Sequence, residues 1–455
     1  MSAPLPLRRR VQCAAATDVY AMHMCLSSAG AQQRVAVVRH PPCPLPPTAP
    51  TPTGAQVCSD YGLRCYDCAQ LLFCGQCTGH TDRVNDISAC AGEGLVVSAS
   101  DDGTARLWDL RTQAAAQRFG GPGSPPVYSA CADEAGHTVA TGGEGGVVQL
   151  WDLRQGTLRQ AYYDLHTEDL CRVRFQPGAA GRLLTAAEDG LVSIVDVSVA
   201  DIDDALVDCL SVGSAVDNFG FFGESSEDMG VWVCCSDQRF ELWSLAPPPP
   251  EDAAPSGPPP RLMHFDDARP AVTELLRGFG GIGGGVEQRT APPPAAAQAA
   301  AAAPMQEDAA PEGGGEFAGA IAGPGMDALV EGEPDDENEA QYLVGCAFEG
   351  SSAAGGGAGA AGSLLMLAGH HDGRLSTLAL TPGGASFSQH MSTGGHFATV
   401  RDMVLLPGGD LVTCGEDTSL CLWGRAAEPA AEGGAAGAAE QQPAASSRRQ
   451  RFAPY

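Results

Sequence analysis

The chain contains no lysine, and all 26 of its basic residues are arginine. That absence removes a phosphate-loop lysine, a Schiff-base nucleophile and a lysine acyl carrier from consideration. Aromatic residues make up only 6%. No apolar run reaches the roughly 18 residues of a membrane-crossing helix, so no membrane contact is expected. There is no HExxH, phosphate-loop or nucleophile-elbow signature, and therefore no cofactor is expected. Positive charge is scarce as well: the formal net charge is -29, and a surface of that sign repels phosphate, which argues against nucleic-acid binding.

What the chain does have is a repeat. Residues 79 to 111 read GHTDRVNDISACAGEGLVVSASDDGTARLWDLR. A Gly-His entry, a short apolar strand, an Asp-Asp-Gly turn and a second strand ending in Trp-Asp fit the four-strand blade of a β-propeller, whose period is about 40 residues. The turn gathers His80, Ser100, Asp102 and Trp108, whose donors and acceptors can satisfy one another in a buried chain. His, Ser and Asp together also invite a catalytic reading. The Trp cap places them inside a blade, away from any cleft, so their expected role is structural.

Similar endings recur at Tyr66-Asp67, Trp151-Asp152, Val195-Asp196, Trp243-Ser244, Leu378 and Trp423. Together with Trp108-Asp109 they give seven blades. An Asp stands six residues earlier in most of them, at Asp60, Asp102, Asp189, Asp237, Asp372 and Asp417. The network is therefore expected to involve His166 and Asp189 in the fourth blade, Asp237 and Trp243 in the fifth, and His396, Asp417 and Trp423 in the seventh. The third blade departs from the pattern, with Gly145 in place of Asp and no His where Pro125 to Val127 would place it. Val195 and Leu378 replace Trp in the fourth and sixth, which must rely on apolar packing.

These motifs resemble the WD40-repeat family, which implies an all-β, seven-bladed propeller serving mainly as a docking platform. The runs at 168–177, 183–197, 203–208 and 396–423 resemble one branch of that family, in the same order and across most of the chain outside its low-complexity parts. The resemblance implies a fold and little about activity.

Blades one to five are expected in residues 1–245, with a Pro-rich disordered insertion at 41–53, and blades six and seven in 341–425. Residues 246–340 form an acidic, Pro/Ala/Gly-rich insertion in which Asp and Glu outnumber Arg by thirteen. Such a segment buries too little apolar surface to offset its ordering entropy, and the tail at 426–455 reads the same way. Within the insertion, residues 261–269 are a candidate strand or turn of the fifth blade. No strand pattern follows Trp423, so the seventh blade lacks its outer strand. One of two N-terminal segments, Arg10 to Ala14 or Asp18 to Cys25, is expected to supply it and so close the ring.

Seventeen cysteines are present. The first thirty residues form no unbroken apolar core, so no secretory signal is expected; the thiols should be reduced, in cytoplasm or nucleus, and act as small buried hydrophobes. Cys65, Cys68, Cys74 and Cys77 have zinc-like spacing. In the blade reading Cys68 and Cys77 lie at opposite ends of one strand, more than about 20 Å apart, too far to share a tetrahedral ion.

The leading functional reading is a non-enzymatic protein-interaction scaffold. Asp86, Arg172 and Asp402 fall at equivalent entries to three inner strands and are candidates for a partner-facing rim. Two WDxR motifs, 108–111 and 151–154, make Arg111 and Arg154 candidate contacts to the propeller-type adaptor of a cullin-RING ubiquitin ligase, although packing alone also produces WDxR. A propeller enzyme with an acid pair or metal over the channel is the alternative from another class. The arginine clusters at 8–10 and 448–451 read as solvated terminal charge, with a nuclear-import signal or an RNA contact as the other readings.

Overall fold

A computed structural model describes residues 5–13, 20–29, 32–40, 61–121, 123–225, 227–246, 259–280, 340–350, 362–381, 384–390 and 395–424. Most of the low-complexity stretches (41–53, 247–258, 281–339 and 426–455) lie outside the described residues, as does Asp60.

The described strands form seven four-stranded antiparallel sheets. The first blade comprises β2 (Tyr20–Ala29), β3 (Gln32–His40), β4 (Leu63–Asp67) and β5 (Phe73–Cys77), and the second β6 (Val84–Ala89), β7 (Leu95–Ser100), β8 (Thr104–Asp109) and β9 (Ala114–Gly120). The third is β10 (Val127–Ala132), β11 (Thr138–Gly143), β12 (Val148–Asp152) and β13 (Leu158–Tyr162); the fourth is β14 (Leu170–Phe175), β15 (Arg182–Ala187), β16 (Leu191–Asp196) and β17 (Leu206–Ser211). The fifth runs through β18 (Val216–Phe222), β19 (Gly230–Cys235), β20 (Phe240–Ser244) and β21 (Arg261–Phe265), and the sixth through β22 (Tyr342–Glu349), β23 (Ser363–Gly369), β24 (Leu375–Thr381) and β25 (Gly384–His390). The seventh contains β26 (Val400–Leu405), β27 (Leu411–Gly415) and β28 (Ser419–Trp423), completed by β1 (Leu7–Gln12).

The first strand of each blade contacts the first strands of its neighbours in the cyclic order β2, β6, β10, β14, β18, β22, β26 and back to β2. An apolar cluster fills every interface. Trp108, Val84 and Cys65 join the first and second blades, Phe219, Val231 and Leu184 the fourth and fifth, and Tyr66, Val35 and Val412 the seventh and first. Because each sheet is covered on both faces, its middle strands are buried on both sides instead of alternating in and out; β19, β27 and β28 are buried at every residue.

Closure is made by the first of the two candidate segments. β1 pairs antiparallel with β28, with Leu7 opposite Trp423 and Gln12 opposite Ser419. Backbone bonds extend the match at both ends, Cys13 N–H to Thr418 (2.7 Å) and Gly424 N–H to Pro6 (3.1 Å). The other segment begins the inner strand β2. Closure also engages the N-terminal arginines. Arg8 pairs with Asp410 at 2.7 Å, and Arg10 reaches Asp417 at 3.3 Å and lies 4.3 Å over the Phe397 ring. They are seam contacts in addition to terminal charge.

One stretch of the insertion, 259–280, is among the described residues. Residues 261–265 supply the outer strand of the fifth blade, and a helix not anticipated from the sequence follows, α1 (Ala268–Gly280). Its start has local causes: the Asp267 carboxylate accepts the Arg269 N–H at 2.9 Å as an N-cap, and Pro270 sits in the first turn. Ala268 and Val272 pack into the cluster between the fifth and sixth blades. The Ala340 N–H, where the described chain resumes, donates to Thr273 Oγ1 at 3.1 Å.

Candidate functional site

The buried networks of the blades come first, because they set the frame for the channel. In the second blade His80 Nδ1 lies 2.8 Å from Asp102 Oδ2, and His80 Nε2 lies 2.6 Å from the hydroxyl of Ser98, not Ser100. The Trp108 indole N–H also donates to Ser98, at 2.8 Å. The Asp102 carboxylate can only accept, so the neutral ring carries its proton on Nδ1, and its bare Nε2 accepts the Ser98 O–H while the Ser98 oxygen accepts the indole N–H. His80 is thereby assigned as the neutral Nδ1–H tautomer, donating to Asp102. Ser100 instead donates to the Asp82 carbonyl (3.2 Å) and accepts the Asp102 N–H (3.2 Å). It is one pleat beyond Ser98, past the reach of the indole.

The seventh blade repeats the arrangement. His396 bridges Asp417 (3.0 Å) and Thr413 (2.8 Å), and Trp423 donates to Thr413 at 2.8 Å. In the fourth blade His166 joins Asp189 (3.1 Å) and Thr185 (2.9 Å), with buried Val195 where the indole would be. All three imidazoles are fully buried at the side chain. Burial lowers the pKa of His80 and His166 despite their carboxylates. For Asp102, burial acts upward but is outweighed by hydrogen bonds from His80 and Thr104, which hold it well below the usual carboxylate range.

The fifth blade does not form the expected network. Val233 occupies the hydroxyl position and Val212 the His position, so Asp237 and Trp243 take other partners. Asp237 accepts the Arg239 N–H at 3.1 Å, and Trp243 donates to Glu241 at 2.8 Å. Glu241, fully buried, is satisfied by Arg261 (3.0 Å) and His264 (2.8 Å) from β21. In the first blade Cys65 and Cys77 belong to the interface with the second blade, Cys68 to the interface with the seventh, and Cys74 is exposed. The four thiols are not gathered around one point.

The inner strands build the central site. Each has a bulge at its start, between Ala21 and His23, Val84 and Asp86, Val127 and Ser129, Leu170 and Arg172, Val216 and Asn218, Leu343 and Gly345, and Val400 and Asp402. A bulge re-aims the side chain that follows it. Asp86, Arg172 and Asp402 are thus equivalent, and all three line a central cavity of about 440 Å³.

The charges there are unequally matched. Asp86 is held in a two-pronged pair by Arg174, at 2.8 and 2.9 Å, and also accepts the Ser129 hydroxyl at 2.5 Å. Burial alone would raise its pKa, but Arg174 and Arg172 bring it far below normal. Asp402 accepts the Met24 N–H and the Met403 N–H, each at 2.7 Å, one on each oxygen. Burial dominates over those bonds and over Arg172, and its pKa is pushed up to about 6. The Arg172 side chain makes no hydrogen bond or ion pair among the described residues, although it is partly buried; burial and the nearby Arg174 lower its pKa. Arg174 and Asn218 were not legible as channel residues in one blade alone; the shared bulge position is the signal that finds Asn218, and in the third blade it holds Ser129, completely buried against Asp86.

Arg111 and Arg154 are exposed on the turns after β8 and β12. Each backbone N–H donates to the preceding blade-end carboxylate, Asp109 at 2.8 Å and Asp152 at 3.0 Å, and the Arg111 side chain also pairs with Asp109 at 3.2 Å.

Known proteins agree with this geometry. The family described as WD domain, G-beta repeat matches residues 72–109, 115–152 and 385–424. Three stretches of this seven-bladed β-propeller thus carry recognisable WD repeats. It is similar to a WD repeat-containing protein 89 homolog of Dictyostelium discoideum, 29% identical over 187 residues, which cover 41% of this chain and 50% of that protein. It is also similar to nucleoporin Nup43 of Mus musculus, 33% identical over 108 residues, or 21% of this chain and 26% of the relative. The chain thus spans about half or less of the length of these curated relatives. Among solved structures, a chain in the crystal structure of the mitotic checkpoint complex superposes with a TM-score of 0.56 at 12% identity, covering 93% of both chains, a likeness of fold alone. WD40 propellers typically serve as protein-interaction scaffolds.

Proposed function

We propose that this chain is a non-enzymatic docking platform whose channel mouth engages another protein, with Arg172 the contact that receives an acidic side chain. The observation that carries this is the contrast between two neighbouring arginines. Arg174 is neutralised by Asp86, whereas the Arg172 side chain has no hydrogen-bond or ion-pair partner among the described residues at the same cavity. A guanidinium presents donors in a fixed fork suited to a carboxylate, and a partly desolvated one gains more from such a pair than one in open water. The acidic insertion within 246–340 would add a second contact. The name of one relative, a nucleoporin, together with the cysteine usage, supports placement in nucleus or cytoplasm.

The convergence of Asp86, Arg172, Arg174 and Asp402 is also what a propeller enzyme would need. Physical arguments favour docking. Asp86 is committed to Arg174, and both oxygens of Asp402 are engaged by backbone N–H groups. The channel thiol Cys131 is pushed by burial up to about 12, which leaves it protonated and weakly nucleophilic. Affinity purification of the whole chain and its Arg172→Ala variant tests the reading. The variant should lose a specific subset of captured proteins while its unfolding transition is unchanged; identical captures would end it.

A finer reading, adaptor binding in a cullin-RING ubiquitin ligase, rests on the paired WDxR motifs. The exposure of Arg111 and Arg154 on adjacent blades supports it. Co-purification of the adaptor, lost on Arg111→Ala or Arg154→Ala, is the expected result; retention in both single variants and the double variant would refute it.

A further inference from the structure

The third blade has the frame of the buried histidine network and an empty place where the imidazole belongs. Cross-strand register makes the correspondence explicit: Val139 faces Trp151 and Thr141 faces Gln149, as Val96 faces Trp108 and Ser98 faces Arg106. Thr141 and Trp151 are therefore the counterparts of Ser98 and Trp108, and they keep the same bond, the Trp151 N–H donating to Thr141 Oγ1 at 3.0 Å. His80 stands four residues before β6; four residues before β10 stands Gly123, not a residue of the 125–127 stretch named from the sequence. Gly145 takes the place of Asp102, and Val147 that of Thr104.

A cavity of about 240 Å³ opens there, lined by Thr141, Val147, Gln149 and Trp151, with Glu144 and the exposed Tyr163 also on its wall. Trp108 is fully buried under its imidazole, whereas Trp151 is partly exposed.

We propose that this slot is a binding site for a neutral imidazole ring, supplied as the histidine side chain of another molecule. Three features of the site define the ligand. The Thr141 oxygen already accepts from Trp151, and among the described residues that is its sole hydrogen bond, so its own proton is left to give. An aromatic nitrogen with a lone pair is the group that takes this proton from the equivalent hydroxyl in the second, fourth and seventh blades. The indole offers an edge-to-face surface, as Trp108 does to His80 at 5.7 Å between centroids. Gly145 replaces the carboxylate that meets the ring in the second, fourth and seventh blades and leaves Glu144 as the acidic side chain on the wall; the neutral form is favoured because the Thr141 proton needs an unprotonated ring nitrogen to accept it. Of the ten histidines, the eight whose side chains are described lie outside this slot, and the backbones of His40 and His390 belong to strands of the first and sixth blades. The ring must therefore come from outside.

The site can be read in the intact protein through the indole N–H resonances of its five tryptophans, with Trp151 assigned by Trp151→Phe. Free imidazole and N-acetylhistidine amide at pH 8 should each shift the Trp151 resonance saturably and leave the other four in place. Pyrrole, a ring of the same size without an acceptor nitrogen, should not. Thr141→Val should weaken the imidazole response roughly three- to tenfold, the worth of one hydrogen bond. The response should also fade as the pH falls below about 6.5, where histidine protonates.

Pyrrole matching imidazole would mean that shape alone is recognised, and would overturn the proposal. A uniform shift of all five indoles, or none at Trp151, would overturn it equally. Binding of free imidazole without N-acetylhistidine amide would overturn the assignment to a histidine side chain. The pyrrole comparison uses the unaltered chain, so the test stands even if Thr141→Val fails to fold.

Discussion

Replacing Ser98 by alanine should destabilise the protein several times more than replacing Ser100, although both serines lie on β7 and face the same side. Ser98 is completely buried, and its one oxygen serves the Trp108 N–H at 2.8 Å and His80 Nε2 at 2.6 Å. Its removal leaves a fully buried indole donor and a fully buried imidazole acceptor without partners. An unsatisfied buried polar group costs about 1–3 kcal/mol, so the pair amounts to about 2–6 kcal/mol. Ser100→Ala removes two 3.2 Å bonds near the loop end, to Asp82 and from Asp102, a loss of about 1 kcal/mol. Equilibrium urea denaturation of the two variants, with amide exchange over β7 and β8, measures the difference. Equal losses, or a larger loss for Ser100→Ala, would refute the assignment of the hydroxyl. The same network fixes a pH dependence. His80 and His166 have lowered pKa values when folded, chiefly through burial, so below about pH 6.5 the unfolded chain binds more protons than the native one. Their contribution is complete above that pH and is lost as the pH falls through the folded values.

Deleting residues 1–13 should expose the free edge of β28, abolish a single cooperative unfolding transition and promote self-association, as scored by calorimetry and light scattering; an unaltered monomer would contradict the closure. Arg174→Ala should cost about 3–5 kcal/mol by leaving Asp86 charged and buried, while Asp86→Ala with Arg174→Ala should cost less than the sum of the single changes, which a double-mutant cycle would reveal. Asp402 binds its proton more tightly when folded, from 3.8 up to about 6, so native stability should decline by about 3 kcal/mol as the pH rises across that window. Asp402→Asn should flatten this slope in pH-dependent urea titrations, and an unchanged slope would assign it elsewhere.

The candidate network was legible where a repeat could be compared with itself. In the four blades that keep a hydroxyl at this place, it stands ten residues before the Trp position: Ser98, Thr141, Thr185 and Thr413. Eight residues before, the residues are Ser100, Gly143, Ala187 and Gly415. Read in the second blade alone, two serines compete and the one nearer the turn looks better placed. Read across blades, only the first recurs. The fifth blade was misread for the opposite reason: Asp237 and Trp243 keep the pattern while Val212 and Val233 remove the groups that would join them. The helix at 268–280 escaped notice because its Asp cap and Pro lie in a region whose composition reads as unfolded.

The seven blades, their order and the need for an outside strand to finish the last one were written in the sequence. Local strand and turn chemistry repeats at a fixed period, and an unpaired edge has to be covered. Which N-terminal segment closes the ring, that Arg174 rather than open solvent neutralises Asp86, and that a ring-sized space remains beside Trp151 were decided only by tertiary structure. Those outcomes depend on side chains from different blades meeting across gaps of tens to hundreds of residues, and on how completely they fill the space between sheets; no spacing along one strand encodes either.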